Sequence, residues 1–304
     1  MKNNIQLGFT LIQTIEVHDD AVNLFSIFPS NNISSISNDK SIIIYNTNLE
    51  IIQKIENAHD DIIFELSIKD ENNFATCSRD RTIKTWKNTE EKNINFKLID
   101  IINTTHQNDI HQIIYFPDDS IISCSKDTKI KIFKKVNNKY QCELTLEHSN
   151  AIYSILFLEK EKILISSGLF STCFWDFNNH LNKLIFNLES YCLGKNSLKR
   201  LDEDKIIVGG KGLIQIISMK EKRIIKEIDS EFICWTICII KDRNICLCGG
   251  TSCNILIFNI NTYEKILEVK NCHDQYIRSI VLLHNGNFIS GSEDKKIKVW
   301  KFKE

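Results

Sequence analysis

The sequence lacks the apolar length, the charge excess and the leader that would place it in a membrane, on nucleic acid or outside the cell. Its longest apolar stretch, near Phe232 to Ile240, is about half of what a membrane helix needs, so no membrane insertion is expected. Met1-Lys2-Asn3-Asn4-Ile5-Gln6 leads into no apolar segment, and no secretory signal is expected. A net charge of −1 supplies no broad basic field, which argues against nucleic acid or an anionic surface as the main partner. Gly209-Gly210-Lys211-Gly212 lacks the Gly-x-x-x-x-Gly-Lys-Ser/Thr spacing of a phosphate loop. It suits a tight turn that needs glycine's permissive backbone.

What is present is ordinary globular material: 304 residues, 42% hydrophobic and 25% charged, a length that closed all-β architectures reach as one unit. The 11 cysteines fall mostly in β-type runs such as Ala75-Thr76-Cys77-Ser78. An odd count without a leader predicts free thiols in a reducing compartment, cytoplasm or nucleus. Cys234, Cys238, Cys246 and Cys248 would need to converge tetrahedrally to hold zinc. Small buried thiols explain them more simply, and no metal or cofactor is expected.

A repeat organises the chain. Tyr45, Trp86, Phe133, Trp175, Ile217, Phe258 and Trp300 end β-type runs at successive gaps of 41, 47, 42, 42, 41 and 42. Stepping back 27 residues from each reaches His18, His59, His106, His148, Ser190, Glu231 and His273. Eight residues before the aromatic stand Ser37, Ser78, Ser125, Ser167, Gly209, Gly250 and Ser292, and six before it stand Asp39, Asp80, Asp127 and Asp294. Leu169, Lys211 and Ser252 fill the remaining aspartate places. Both prolines, Pro29 and Pro117, lie 11 residues after a column histidine, where a turn between strands would put them. Ile130-Lys131-Ile132-Phe133 and Ile297-Lys298-Val299-Trp300 alternate apolar with charged, as half-buried strands do. Repeats of about 42 residues with room for four strands each are the mark of propeller blades.

These residues carry a resemblance to the WD-repeat family, in which a Gly-His element is followed by Ser-x-Asp and Trp-Asp. Ser290-Gly291-Ser292-Glu293-Asp294 through Trp300 matches closely, and Cys77-Ser78-Arg79-Asp80 through Trp86 nearly as well. The Trp-Asp pair itself occurs once, at Trp175-Asp176, and no glycine precedes the histidines. Repeats 5 and 6 lack both His and Asp. The resemblance implies an all-β, seven-bladed propeller of four-stranded antiparallel blades over residues 9–304, with 1–8 a short tail. Leu11-Ile12-Gln13-Thr14-Ile15 precedes the first histidine, and no equivalent run follows Trp300. The N-terminal strand is therefore expected to complete the last blade and close the ring. The Phe-Arg-Arg-Gly motif of the lipid-binding propellers is absent.

The family likeness gives the columns a structural role: Asp accepts from a turn and from the His ring, His links to the column Ser, and Ser to the indole N–H. Full sets are His59, Ser78, Asp80, Trp86 and His273, Ser292, Asp294, Trp300. Partial sets are His18, Ser37, Asp39; His106, Ser125, Asp127; and His148, Ser167, Trp175. Ser, His and Asp also suit a catalytic triad, but a set recurring around the chain and buried does not behave as one. No catalytic residue is assigned.

For partner contact, the exposed turns and loops nominate Arg79, Lys126, Phe170, Tyr191 and Tyr276, aromatics beside cations. Trp235, four residues after a vacant histidine place, is expected in the core between blades. Lys195 and Lys199-Arg200 are expected in a solvated loop. The function that fits is a non-catalytic scaffold for other proteins, monomeric in itself and part of a multiprotein complex. The alternative is a peptide or phosphopeptide recognition module, such as a ubiquitin-ligase substrate receptor, reading phosphate with Arg79, Arg81 and Lys126. An enzyme on a propeller would need ionisable residues converging at the central channel, and the columns place none there.

Overall fold

The computed structural model describes residues 8–177 and 183–303. β1 (Phe9–Glu16) stands apart from the strands that follow it. Next come β2 (Val22–Ile27), β3 (Ile33–Ser37), β4 (Ile42–Tyr45) and β5 (Ile51–Ile55), one antiparallel sheet in chain order. The pattern repeats in β6 (Ile63–Asp70), β7 (Asn73–Ser78), β8 (Thr82–Asn88) and β9 (Phe96–Asn103). It repeats again in β10 (Ile110–Tyr115), β11 (Ile121–Ser125), β12 (Lys129–Val136) and β13 (Lys139–Glu147). A fourth copy is β14 (Ile152–Leu158), β15 (Ile163–Gly168), β16 (Ser171–Asp176) and β17 (Lys183–Glu189).

The next two repeats depart from separate four-stranded units. β18 (Leu198–Arg200), β19 (Lys205–Gly209), β20 (Lys211–Ser218), β21 (Arg223–Ile240), β22 (Ile245–Gly250), β23 (Ser252–Asn259) and β24 (Lys265–Val269) share one seven-stranded sheet. β21 is the reason: its first part pairs with β20, from Arg223 opposite Ser218 to Ile233 opposite Lys211. Its second part pairs with β22, from Cys234 opposite Gly250 to Ile240 opposite Ile245. Before β2, β6 and β10, and before the last sheet, a loop held by a histidine and an aspartate leads into the sheet; before β18, which has neither, an irregular segment does. Within β21 neither residue is present, and the chain runs on as strand, its backbone groups satisfied by the ladder. The last sheet is β25 (Ile277–Leu282), β26 (Phe288–Ser292) and β27 (Lys296–Phe302), with β1 paired to β27, Phe9 opposite Phe302 and Glu16 opposite Lys296. Among the described residues the one helical element is a single 3-10 turn, Lys241–Arg243.

The first strands of the sheets pack on one another: β2 on β6 and β25, β6 on β10, β10 on β14, β14 on β18, and β21 on β25. Just before β18, Asn196 bridges Thr236 of β21 in parallel. Polar side chains stitch these strands, Ser279 Oγ accepting from the Phe25 amide at 3.3 Å and Thr236 Oγ1 from the Ile280 amide at 3.1 Å. Middle strands such as β3, β4 and β11 are buried along their whole length, because apolar side chains from neighbouring sheets cover both of their faces. The outer strands β5 and β17 are largely exposed.

The alternation in Ile130-Lys131-Ile132-Phe133 consequently does not mean a half-exposed strand. Lys131 is buried, its Nζ donating to the Thr104 carbonyl at 3.1 Å and Thr105 Oγ1 at 2.6 Å. Lys84 and Lys298 occupy the same place two residues before an aromatic. They donate to the carbonyls of Ala58 at 2.9 Å and Cys272 at 2.8 Å. Their stems pack while the ammonium groups cap the loops that enter the first strands. Pro29 and Pro117 sit in the turns after β2 and β10, closed by Asn31 N–H to Phe28 O at 2.8 Å and Asp119 N–H to Phe116 O at 3.1 Å.

Candidate functional site

Four histidines, each just ahead of a first strand, meet the aspartate of a hairpin turn. His18, His59, His106 and His273 place Nδ1 at 2.9, 2.8, 2.8 and 2.8 Å from Oδ2 of Asp39, Asp80, Asp127 and Asp294. The same Oδ2 accepts the amide of the next residue, Asp19, Asp60, Gln107 or Asp274, at 2.9–3.0 Å. The other oxygen, Oδ1, closes the turn on the amide of Ser41, Thr82, Lys129 or Lys296. One carboxylate thus pins a loop to a turn.

The column serines do not complete the relay. The partner of histidine Nε2 lies two residues earlier: Ser35 at 2.7 Å, Thr76 at 2.8 Å, Ser123 at 2.9 Å and Ser290 at 2.6 Å. Trp86 and Trp300 donate to Thr76 and Ser290 at 2.9 and 2.8 Å. Tyr45 meets Ser35 at 2.9 Å, so the first repeat also has a complete chain. Positions two apart on a strand share a face, and the inner one lies level with the aromatic. Ser37, Ser78, Ser125 and Ser292 stand at the strand end. There they accept the amides of Asp39, Asp80, Asp127 and Asp294, each at 3.0 Å. An ionised carboxylate cannot donate, so Nδ1 carries the proton and Nε2 accepts from the hydroxyl, which accepts from the indole. Every donor in Trp–Thr/Ser–His–Asp then points the same way.

Burial opposes ionisation of these carboxyls. The bonds from His59 and Thr82 nevertheless hold Asp80 well below the usual range, and Asp294, held by His273, behaves alike. Burial likewise holds His59, His106 and His273 below the ordinary imidazole value despite their aspartates, favouring neutral rings.

The fourth repeat differs. Its hairpin is one residue shorter, Leu164 pairing with Trp175 where Phe74 pairs with Trp86. Trp175 donates to Ser166 at 2.8 Å, and Ser167 turns to Thr172 at 2.6 Å. With Leu169 in the aspartate place, His148 Nδ1 accepts the Asn150 amide at 3.2 Å and its Nε2 has no partner among the described residues. The glycine turn after β19 is a packing device. A Cβ at Gly210 would lie 2.1 Å from the Tyr191 carbonyl oxygen, and Gly212 has φ +75°. Cys246 and Cys248 have sulfurs 3.8 Å apart, while Cys238 packs in a different apolar cluster from Cys234. Among the described residues no group of three or more His, Cys, Asp or Glu is arranged to hold a metal.

Each turn that carries a network aspartate lies against the loop ahead of the first strand of its own sheet. Backbone bonds at 3.0 Å join Arg79 to Ile62, Lys126 to Asp109 and Glu293 to Tyr276. Arg79 and Lys126 are exposed, as are Phe170, Tyr191 and Tyr276 at 50, 46 and 43%. Phe170 and Tyr191 meet edge to face with centroids 5.8 Å apart, and Tyr276 meets Trp235 at 5.7 Å.

Trp235 is not a core residue. A one-residue offset in β21 puts Cys234 opposite Gly250, as Val22 stands opposite Ser37. The wholly buried core position is Cys234, and Trp235 turns instead to a cavity bounded by the first strands. Nor do Lys195 and Lys199-Arg200 form a solvated loop. Lys199 and Arg200 are in β18, and Arg200 forks onto Glu161 at 2.6 and 3.1 Å. Lys195 and Lys199 are partly buried near Glu65, whose carboxyl burial pushes up although both lysines oppose this. Ionisable residues therefore do gather among the first strands. In sequence they share only a place, about five residues past each histidine position, where Asn23, Phe64, His111, Tyr153, Lys195 and Arg278 have no type in common.

All-β sheets built from a repeated four-strand pattern, clamped by recurrent His–Asp pairs, define a propeller-like repeat protein. Residues 51–87, 98–134 and 264–301 match the family model described as WD domain, G-beta repeat. These three segments are WD40 repeats by that match, which is consistent with a WD-repeat family. Each matched segment starts on the outer strand of one sheet and ends on the third strand of the next, so the sequence repeat interlocks neighbouring sheets. No curated protein matches the chain in sequence. WD40 repeats in general mediate protein–protein interactions. Among the described residues no helix is long and apolar enough to cross a membrane.

Proposed function

We propose that residues 9–304 form one seven-bladed propeller, closed by β1, that serves as a non-catalytic scaffold subunit of a multiprotein complex. Support for closure comes from first strands packed in succession, with the segment before β18 linked to β21 by the Asn196–Thr236 bridge. It comes also from an apolar cluster uniting Val22, Phe25 and Ile43 of the first sheet with Ile289, Ile297 and Val299 of the last. All 11 cysteines are free thiols, which suits a reducing compartment.

The observation that carries the function is the exposed set Arg79, Lys126, Phe170, Tyr191 and Tyr276. Arginine and large aromatic side chains are the residue types that dominate interaction hot spots, and here Phe170 and Tyr191 are exposed and meet each other edge to face. The test is affinity purification of the tagged chain from its own cells, wild type against an Arg79→Glu, Lys126→Glu, Phe170→Ser, Tyr276→Ser variant of equal melting temperature. Partners near one-to-one, insensitive to phosphatase and lost from the variant, are expected. An unchanged partner set would remove this surface from the proposal. A broad set that disappears after phosphatase would instead favour a phosphopeptide reader using Arg79, Arg81 and Lys126.

A further inference from the structure

A cavity of about 310 Å³ opens where five inner segments converge, lined by Asn23, Tyr153, Lys195, Ile233, Trp235 and Arg278 among others. Its cations are not equivalent. Arg278 is already engaged, its Nε and one terminal nitrogen on Glu293 Oε1 at 3.1 and 2.6 Å and the other on Asn23 Oδ1 at 2.9 Å. Lys195 has no ion pair among the described residues, and its Nζ lies 3.2 Å from the centroid of the Phe64 ring. Beside it His111, 5% exposed, stacks on Tyr153 at 4.7 Å, and neither of its ring nitrogens has a partner among the described residues.

The cavity thus holds a lysine with no ion pair among the described residues, a neighbouring imidazole with bonding capacity unspent, and walls of indole, phenol and aliphatic carbon. Burial pushes the carboxyl of nearby Glu65 toward its neutral form. One cation balances one negative charge, while a phosphate near neutral pH brings almost two. The apolar walls suit methylene groups leading to a charged end. Burial and the neighbouring Arg278 pull the Lys195 ammonium down to about 7, and an incoming carboxylate would restore its charge.

We infer that this cavity receives a single carboxylate carried on an extended segment of a protein partner, Lys195 binding the charge and Trp235 and Tyr153 flanking its stem. This rests on the interaction-platform proposal above and names the chemistry of one contact within it.

The test uses the full chain and four pools of fluorescein-labelled nonapeptides of alanine and leucine. The pools have a central glutamate, a central glutamine, a central phosphoserine (all three amidated at the end), or a free C-terminal carboxylate alone. Fluorescence anisotropy is read with wild type, Lys195→Met and Arg79→Glu proteins. Either carboxylate pool should bind wild type at least about tenfold tighter than the glutamine pool, a difference of about 1.4 kcal/mol. Whichever carboxylate pool binds better identifies side chain or chain end as the source. The preference should vanish in Lys195→Met and persist in Arg79→Glu. Lys195→Met keeps the length of the side chain and removes a buried charge, so its melting temperature should not fall; Lys195→Gln serves if it does. Equal binding of the carboxylate and glutamine pools, a preference that survives loss of Lys195, or tighter binding of phosphoserine would overturn the inference. Those outcomes leave the platform standing if native partners are still lost from the Arg79→Glu, Lys126→Glu, Phe170→Ser, Tyr276→Ser variant.

Discussion

His273 Nδ1 lies 2.8 Å from Asp294 Oδ2, with the histidine side chain wholly enclosed and the carboxylate 4% exposed. Together they anchor the loop entering β25 to the turn leaving β26. Through Ser290 the chain of bonds continues to Trp300, which packs against Phe9 and Phe288.

Ser290 matters more to this network than Ser292, although Ser292 is the residue that the repeat pattern singles out. Ser290→Ala leaves both His273 Nε2 and Trp300 Nε1 without a partner and should cost about 2–3 kcal/mol. Ser292→Ala gives up a turn bond and should cost about 1 kcal/mol. Asp294→Ala should cost about 2 kcal/mol, because it frees the histidine and the amides of Asp274 and Lys296. Urea unfolding of the three variants gives the order, and a larger loss for Ser292→Ala than for Ser290→Ala would contradict it.

Acid should weaken the fold in two stages. His59, His106 and His273 are held neutral below the ordinary imidazole value. The unfolded chain therefore takes up protons first, and stability declines as pH falls below about 6.5. Asp80 and Asp294 are held below the carboxylate range. Their contribution is present above about 3.9 and is lost as pH falls further through their folded values. Glu65, whose carboxyl is pushed up by burial, works the other way over this range. Melting temperature is therefore measured from pH 8 to pH 3.5 in a Glu65→Gln background, where it should fall throughout; a rise between pH 7 and pH 5 there would show charged histidines in the folded state.

Phe9 joins the two ends of the chain. It is 7% exposed and meets Phe288, Trp300 and Phe302 with centroids 4.9, 5.2 and 6.4 Å away. Phe9→Ala should cost about 3–5 kcal/mol. Removing residues 1–16 should uncover the β27 edge and give concentration-dependent association, measured by light scattering. A truncated chain that stays monomeric with an unchanged melting temperature would refute the closure proposed for β1.

Gly291 occupies the position where Cys77 and Cys124 stand in other repeats. A Cβ there would lie 2.8 Å from Val22 Cγ1 and 2.9 Å from the Phe25 ring. Gly291→Ala should destabilise by about 1–3 kcal/mol through overpacking between the first and last sheets. Calorimetry on this variant checks the packing across that junction.

The spacing of His, Asp and aromatic residues determined the strand units, the turns and the four His–Asp clamps, because these depend on short stretches whose register is set locally. The same spacing misled where an offset of one or two residues decides. Ser290 rather than Ser292, and Cys234 rather than Trp235 in the core, follow from strand register and a bulge, which pattern alone does not count. The buried Lys131 looked like the outer face of a strand until a neighbouring sheet covered it. Lys195, His111, Trp235 and Arg278 belong to four different repeats and share no residue type, so nothing local joins them. Only packing of the first strands side by side brings Lys195, Trp235 and Arg278 to the wall of one cavity with His111 behind Tyr153, where loss of solvent and mutual field change their chemistry from that of the extended chain.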